Sequence, residues 1–152
     1  MGREVVGNRL TAIVGAILVL PSLAGCSSSP PPVPLLHGEL PRGTAHVTIG
    51  NDAMATTYAV GCTTEEFTTS ITSGHHSAGV TAVVDYADKL SVKSVSIANF
   101  GGFTGSYWEN LQGNAHVDMI GSTYAITGIA DGFNADKPST KTSTRFAMRV
   151  AC

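Results

Sequence analysis

The chain has 152 residues, a length that suggests one domain with a tail and is sufficient to bury a core. Charged residues make up 13% of it and the net charge is -2, which argues against a nucleic-acid binder with a basic face. A hydrophobic content of 43% argues against disorder, and 17 glycines with abundant Ser and Thr are typical of an extracellular β-protein.

The first segment has the organisation of a lipoprotein signal. Arg3 and Arg9 precede the uncharged stretch 10–20, which is too short to cross a bilayer, since a helix needs roughly twenty residues for that. Leu23-Ala24-Gly25-Cys26 follows and resembles a bacterial lipobox. We expect residues 1–25 to be removed between Gly25 and Cys26, and Cys26 to carry a diacylglycerol thioether and an N-acyl group. The alternatives are an ordinary secretory signal with a coincidental Cys and a single membrane helix.

Residues 26–43 are expected to form a tether. Pro30, Pro31, Pro32 and Pro34 follow three serines, and proline runs favour an extended, semi-rigid polyproline II spacer. Such a spacer would hold the domain off the extracytoplasmic face of the cell membrane, where the lipid anchors it. The competing interpretation, a proline-rich ligand of an SH3-type domain, is disfavoured outside the cytoplasm.

Residues 44–152 are predicted to form an all-β domain. Short runs rich in Val, Thr, Ile, Tyr and Phe alternate with Gly, Asn and Asp, and no window has a helical stripe. This pattern favours an antiparallel β-sandwich or barrel-like roll of about 8–9 short strands. Turns are expected at Asn99–Gly102 and at Asp131-Gly132. Strands are predicted near 45–49, 56–62, 66–72, 79–85, 92–99, 103–108, 114–120, 123–130 and 144–151.

Alternation along the strands predicts which side chains face the core. Phe146, Met148 and Val150 share one face of the last strand, opposite Arg145 and Arg149, and Cys152 is in phase with the apolar set. In the second strand, Cys62 is in phase with Tyr58 and Val60. Two inward cysteines in an exported domain most simply form a disulfide, Cys62–Cys152. Two buried free thiols are the alternative, and a redox pair is less consistent because there is no Cys-x-x-Cys motif.

Several short stretches resemble one family in the same order along the chain: Leu23–Ser28, Val60–Thr64, Val92–Val95, Gly113–Ala115, Tyr124–Gly128 and Arg149–Cys152. The sequence is similar to the mycobacterial surface lipoprotein antigens of the LpqH type. The resemblance implies a triacylated cell-envelope antigen that host Toll-like receptors detect through its lipid, and it implies no enzymatic activity. Family members have an O-glycosylated Thr-rich linker, whereas this linker is Pro-rich, with Ser27, Ser28 and Ser29 as the nearby hydroxyls.

The motifs of common catalytic and metal sites are missing from the sequence. There is no Gly-x-Ser-x-Gly elbow, His-Glu-x-x-His motif, phosphate-binding Gly-rich loop or pair of Cys-x-x-Cys hooks, so no catalytic residue, metal or cofactor is expected. His75 and His76 lie in a predicted exposed turn, and His116 shares a strand face with Asp118. A specific metal site needs three or four converging ligands, so solvated histidines are the better interpretation.

Two functions from different classes are consistent with these features. The first is a non-enzymatic, lipid-anchored surface antigen with host receptors as partners. The second is a lipid or glycolipid carrier, suggested by the small Ala82 in phase with Val80 and Val84, and a secreted hydrolase is a distant third. Tyr107 and Trp108 are expected to face opposite sides of their strand, and an exposed Trp108 could contact a ligand or a membrane.

Overall fold

The structure is a computed structural model that describes residues 34–53, 57 and 59–152. Within these ranges the chain forms ten β-strands joined by short turns. Glycines with positive φ shape several turns, including Gly101 and Gly102, which form the hairpin expected there. The strands are β1 (Thr44–Ile49), β2 (Asp52–Ala53), β3 (Val60–Glu65), β4 (Thr68–His75), β5 (Ala78–Asp85), β6 (Ser91–Phe100), β7 (Phe103–Trp108), β8 (Asn114–Ile120), β9 (Thr123–Asn134) and β10 (Lys137–Ala151).

All strand pairs are antiparallel and belong to one nearly closed, barrel-like sheet. Its order is β2-β1-β10-β9-β7-β6-β5-β4-β3. The long strand β9 pairs with β10 along one edge, while its other edge pairs with β8 over Thr123–Ile129 and with β7 over Asp131–Asn134. The all-β prediction is therefore confirmed, as one continuous sheet rather than two separate ones.

The core is built from alternate residues of the strands, as the period of two requires. Phe146, Met148 and Val150 are buried, and the flanking Arg145 and Arg149 retain solvent exposure. Phe103 and Tyr107 are buried from β7, and the Tyr107 hydroxyl donates a hydrogen bond to the Val92 carbonyl at 3.2 Å. Burial raises the pKa of the Tyr107 phenol.

Two links join the two ends of the strand order. Thr57 and Ala45 exchange a pair of backbone hydrogen bonds of 2.9 Å, which connect the segment before β3 to β1. The Cys62–Cys152 disulfide joins β3 to the residue that follows β10, with Cα atoms 5.9 Å apart. Together these links hold β3 next to the strands at the other end of the sheet.

Most predicted strands are found, and four of them have wrong limits. One is the strand predicted at 123–130, which continues to Asn134 as β9. The strand predicted at 56–62 is β3, shifted to Val60–Glu65, and part of the predicted range, including Tyr58, lies outside the described residues. The next prediction, 66–72, is shifted because Glu66 has a φ of 50° and forms the β3–β4 turn. The last strand begins at Lys137 rather than 144, because residues 137 and 142–144 already pair with β9.

The turn predicted at Asp131-Gly132 is also wrong, because both residues lie within β9. Gly132 faces Gly105 of β7 in the ladder. A Cβ at Gly132 would overlap the Thr104 carbonyl oxygen, so this glycine allows β7 and β9 to approach closely. Gly132, which the sequence pattern indicated as a turn residue, is therefore required for the packing of β7 against β9.

Candidate functional site

The N-terminal junction is the place where the expected tether meets the domain; we define it as residues 36–43 with Ser122, Thr123 and Arg149. Glu39 is its central side chain. One carboxylate oxygen accepts hydrogen bonds of 2.9 Å from both the amide and the hydroxyl of Ser122. The other accepts one of 3.0 Å from the Leu36 amide. Glu39 thus fixes the incoming chain to the β8–β9 turn.

Main-chain contacts continue this attachment up to the first strand. The Leu40 amide donates to the hydroxyl of the fully buried Thr123 at 2.8 Å, and Leu40 itself is buried. The Arg149 guanidinium donates to the Gly38 carbonyl. The Gly43 amide then donates to the Ala151 carbonyl at 2.8 Å. Residues that the sequence analysis assigned to the tether therefore contact β8–β10 directly.

Gly121 makes room for the Glu39 carboxylate. It begins the β8–β9 turn with a φ of 57°, a conformation that favours glycine. A Cβ at this position would overlap the Glu39 carboxylate. Both the backbone conformation and the close approach therefore call for a glycine here.

The hydrogen bonds also change the acidity of Glu39. Those donated by the Ser122 and Leu36 amides and by the Ser122 hydroxyl hold the pKa of this carboxyl below its ordinary value of 4.5, and Arg42 contributes in the same direction. The charged form is the one that the junction binds. Glu39 therefore stays ionised under neutral conditions and through mild acidification.

The C-terminus and the disulfide lie beside the same turn. The Cys152 amide donates a hydrogen bond to the Ser122 carbonyl at 3.3 Å, and Cys152 packs against the core while retaining some exposure. The incoming chain, the β8–β9 turn and the disulfide-linked C-terminal residue thus meet at one end of the domain.

The predicted pairing of Cys62 with Cys152 is present, but the predicted orientation of Cys62 is wrong. Cys62 is exposed, and so is every other residue of β3 except Val60, which is partly buried. The reason is that β3 ends the strand order and pairs only with β4 along its length, so the alternation rule for a two-sided core does not apply to it. The disulfide therefore joins an exposed position of β3 to the residue after β10 and does not lie in the centre of the core.

The remaining predicted site residues divide into two groups. Gly25, Cys26 and the three serines 27–29 lie outside the described residues. Tyr107 is buried and Trp108 is 50% exposed, which confirms their opposite orientations. His116 Nε2 lies 3.3 Å from an Asp118 carboxylate oxygen on the exposed face of β8, and His75 and His76 are exposed at the β4–β5 turn.

Within the described ranges, no group of three or more His, Cys, Asp or Glu side chains is arranged to hold a metal ion. A 610 Å³ depression beside the β4–β5 hairpin is lined by the two imidazoles and by hydroxyls of Thr72, Thr81 and Ser96. The same part of the chain contains no helix long and apolar enough to span a bilayer.

Glu39, Ser122 and Thr123 were not predicted as site residues from the sequence. Glu39 lies among prolines and glycines and was included in the tether, and Ser122 and Thr123 looked like ordinary turn and strand residues. The available signal was Leu40, an apolar residue at the end of a proline-rich segment. Which partner Glu39 would find depends on the β8–β9 turn, 83 positions away, and local patterns carry no information about it.

Comparison with known proteins identifies the family. Residues 38–152 match the family described as Mycobacterium 19 kDa lipoprotein antigen. The chain belongs to this family. The match begins at Gly38, within the N-terminal junction.

Similar relatives cover nearly the whole chain. A protein of Mycobacterium avium subsp. hominissuis, named as a lipoprotein, is 35% identical over 95% of this chain and 96% of its own length. LppE of Mycobacterium tuberculosis, also named as a lipoprotein, is 33% identical over 95% and 99%. Lipoprotein LpqH of Mycobacterium bovis is 30% identical over 93% and 95%. The resemblance to the LpqH-type antigens is thereby confirmed.

Family membership indicates the general class of function of the chain. The family and these relatives are named as lipoproteins and antigens rather than as enzymes, and a mycobacterial lipoprotein family indicates a protein associated with the cell envelope.

Proposed function

We propose that this member of the 19 kDa antigen family is a non-enzymatic lipoprotein, anchored through Cys26 on the extracytoplasmic face of the cell membrane. The observation that carries the proposal is the lipobox Leu23–Cys26, which lies between an apolar stretch and a proline-rich spacer. Membership in a lipoprotein family supports the same reading of these residues.

The chemistry of the anchor explains why Cys26 is the required residue. Its thiolate is the nucleophile that attacks the glyceryl carbon of a phospholipid, so that a carbon–sulfur bond forms, the carbon–oxygen bond to the phosphate breaks, and the phosphorylated headgroup leaves. Cleavage of the Gly25–Cys26 bond then frees an amino group that accepts a further acyl chain. A single chain binds a membrane only marginally, at about 0.8 kcal/mol per buried CH₂, whereas two or three chains hold firmly.

The N-terminal junction supports a role for the domain as a presented unit. Glu39, Leu40 and Gly43 attach the end of the spacer to the β8–β9 turn and β10, so the chain leaves the domain at a fixed point. The spacer from Cys26 to that point contains four prolines, which favours extension away from the membrane. Host receptors of the Toll-like class are the proposed partners, and they would recognise the acylated N-terminus.

The carrier alternative rests on a cavity between strands. Ala82, the small residue that motivated it, is fully buried together with Val80 and Val84 on the same face. Its size is accounted for by close packing in the core. The depressions of 350 and 610 Å³ on the described surface are lined by a mixture of hydroxyls, Asn114 and Arg145 with apolar residues such as Ile129, Phe146 and Val80.

The test is to replace Cys26 with alanine in cells that export the protein, with Ser27→Ala as the matched control. We expect the wild-type chain and the control to fractionate with membranes and to stimulate Toll-like receptor reporter cells. The Cys26→Ala chain should leave the membrane fraction and lose the stimulation. Retention of Cys26→Ala in the membrane would overturn the anchor, and undiminished stimulation would overturn the receptor proposal.

A further inference from the structure

The segments that connect the strands lie at two ends of the sheet, and one of these ends carries the N-terminal junction. Ala151 at the end of β10 pairs with Thr123, which begins β9, and with Thr44, which begins β1. Because neighbouring strands are antiparallel, β3, β5 and β7 also end here, and β4 and β6 begin here. We therefore define the junction end of the domain as the N-terminal junction together with residues 34–35 and the connecting segments 66–67, 86–90 and 109–113.

Exposed apolar side chains are concentrated at this end. Of the eight large hydrophobic residues that are well exposed in the described ranges, Phe133 lies beside the β9–β10 turn at the opposite end. The other seven belong to the junction end or to the last two residues of β7 and β8: Leu35, Leu36, Phe67, Tyr86, Trp108, Leu111 and Met119. Single exposed apolar residues are ordinary on a protein surface, whereas their concentration on one side indicates an interaction surface.

Two aromatic rings at the junction end are held in a fixed, exposed arrangement. Phe67 and Tyr86 contact edge to face, with ring centroids 6.1 Å apart. The Tyr86 amide donates a hydrogen bond to the Phe67 carbonyl at 3.0 Å, and the Tyr86 hydroxyl donates one to the Glu66 carbonyl at 2.8 Å. These bonds join the two turns while both rings stay exposed. A pair that is ordered in advance loses little conformational entropy when it binds.

The length of the spacer keeps the junction end close to the proposed anchor. Pro34 and Leu35 line a depression of 380 Å³ together with Glu39, so the described chain starts at this end. Pro34 follows Cys26 by eight positions, and a polyproline II spacer of that length reaches about 25 Å. The spacer limits the distance from Cys26 but leaves its own tilt to the membrane plane open. A tilted spacer therefore lets the junction end reach the membrane surface.

Charge does not favour an anionic partner for this end. The exposed cations Arg42 and Lys89 are accompanied by the exposed anions Glu66 and Asp88. A surface of mixed sign has little net attraction for charged groups, so the exposed apolar side chains are the main basis for binding. Leucines and aromatic rings with a polar rim suit the interfacial zone of a lipid bilayer, where tyrosine and tryptophan are enriched.

We propose that the junction end is a membrane-contacting surface, at which Leu35, Leu36 and Phe67 enter the headgroup region of the bilayer that holds Cys26. This inference rests on the proposed anchor. A second copy of the chain is a poorer occupant, because two copies meeting through this end would place both spacers inside the interface. The contact is expected to be weak without the anchor, which raises the effective concentration of the domain at the membrane. A chain without the anchor is therefore still expected to leave the membrane.

The test places a fluorescent reporter at either end of the domain. Trp108 is the single tryptophan of the chain, and Trp108→Phe removes it. In that background, Phe67→Trp introduces a tryptophan at the junction end, and Phe133→Trp introduces one at the opposite end as the matched control. Both positions already hold an exposed aromatic ring, so folding should be unaffected. The full acylated chains are reconstituted into phosphatidylcholine vesicles with or without bromine on the acyl chains near the headgroups, which quenches tryptophan at short range.

We expect brominated lipid to reduce the emission of Phe67→Trp by more than about half and that of Phe133→Trp by less than about a tenth, because only the junction end reaches the interfacial zone. Quenching should be unchanged in high salt, since the contact is apolar. Equal quenching of the two variants, or quenching of neither in chains that float with the vesicles, overturns the membrane contact and leaves the anchor intact. A blue-shifted emission of Phe67→Trp without quenching would assign this end to a second copy and also overturns it. Chains that do not float with the vesicles overturn the anchor and this inference with it.

Discussion

At the scale of single residues, Glu39 shows how one carboxylate connects the incoming chain to the domain. Its two oxygens accept hydrogen bonds from Leu36 on the chain and from Ser122 on the β8–β9 turn. Hydrogen bonds to an ionised acceptor are stronger than neutral ones, and Gln in its place would keep the size but lose the charge. The junction should therefore depend on the charge of Glu39 more than on its volume.

We predict that Glu39→Gln loosens the junction without unfolding the domain. The amide hydrogens of Leu36 and Ser122 should exchange faster with solvent, whereas those of β10 should keep their protection. Hydrogen exchange followed by mass spectrometry measures this, with Glu65→Gln on the exposed β3 as the control. Unchanged exchange at Leu36 and Ser122 would show that Glu39 does not hold the junction.

Gly121→Ala is predicted to loosen the same contact from the other side. The new Cβ would overlap the Glu39 carboxylate and would require a strained φ. Hydrogen exchange at the Leu36 amide should rise as it does in Glu39→Gln, and the double variant should add little, because both changes remove one contact. Additive effects of the two changes would mean that Gly121 acts through the turn conformation alone.

Acid should weaken the N-terminal junction, because the junction binds the ionised form of Glu39. The pKa of Glu39 is lower in the folded protein than its ordinary value of 4.5. The contribution of Glu39 to the stability of the junction is therefore fully present above pH 4.5 and is lost as the pH falls through the folded pKa. Exchange at Leu36, corrected for the intrinsic effect of pH, should be flat at neutral pH and rise only below 4.5. In Glu39→Gln that rise should be absent, and a rise that survives the substitution would assign it to another group.

At the scale of strands and turns, β10 is the central element of the fold. It pairs with both β1 and β9 and contributes the buried Phe146, Met148 and Val150. Met148→Ala should lower the free energy of unfolding by about 2–5 kcal/mol, the range for large-to-small substitutions in a core. Urea unfolding measures this, with Thr140→Ala at an exposed position of the same strand as the control. A loss below about 1 kcal/mol would contradict the burial of Met148.

The disulfide also acts at this scale, because it holds β3 to the residue after β10. The two cysteines are 90 positions apart, and for a loop of that length the chain-entropy model assigns the disulfide roughly 4–5 kcal/mol. Cys62→Ser should therefore lower the melting temperature by more than about 10 °C. Cys152→Ser and the double variant should melt at nearly the same temperature as Cys62→Ser. A melting temperature that does not change on reduction of the wild type would mean that the thiols are free.

The sequence predicted these elements correctly where the pattern of neighbouring residues was sufficient to identify the buried face of a strand. The alternation of Phe146, Met148 and Val150 against two arginines identifies the core face of β10 without further information. The burial of Cys62 was predicted wrongly by the same rule, because β3 pairs only with β4 and only its first residue, Val60, packs against the core. Gly132 was misread because its small size serves the close approach of Thr104, which no local pattern shows. The contacts of Glu39 depend on closure of the sheet and are equally invisible to local patterns.

At the scale of the whole molecule, the described part of the chain is one nearly closed sheet whose incoming chain, disulfide and C-terminus meet beside the β8–β9 turn. Ser122 of this turn contacts both the incoming chain, through Glu39, and the residue Cys152 that follows β10.

The most direct test of lipid anchoring is the intact mass of the mature protein from native membranes, measured with and without reduction and alkylation. We predict a chain that begins at Cys26, is heavier by two or three acyl groups, and takes up two alkyl groups only after reduction, at Cys62 and Cys152. A mass equal to the unmodified chain, or a chain that retains residues 1–25, would contradict the lipoprotein anchor.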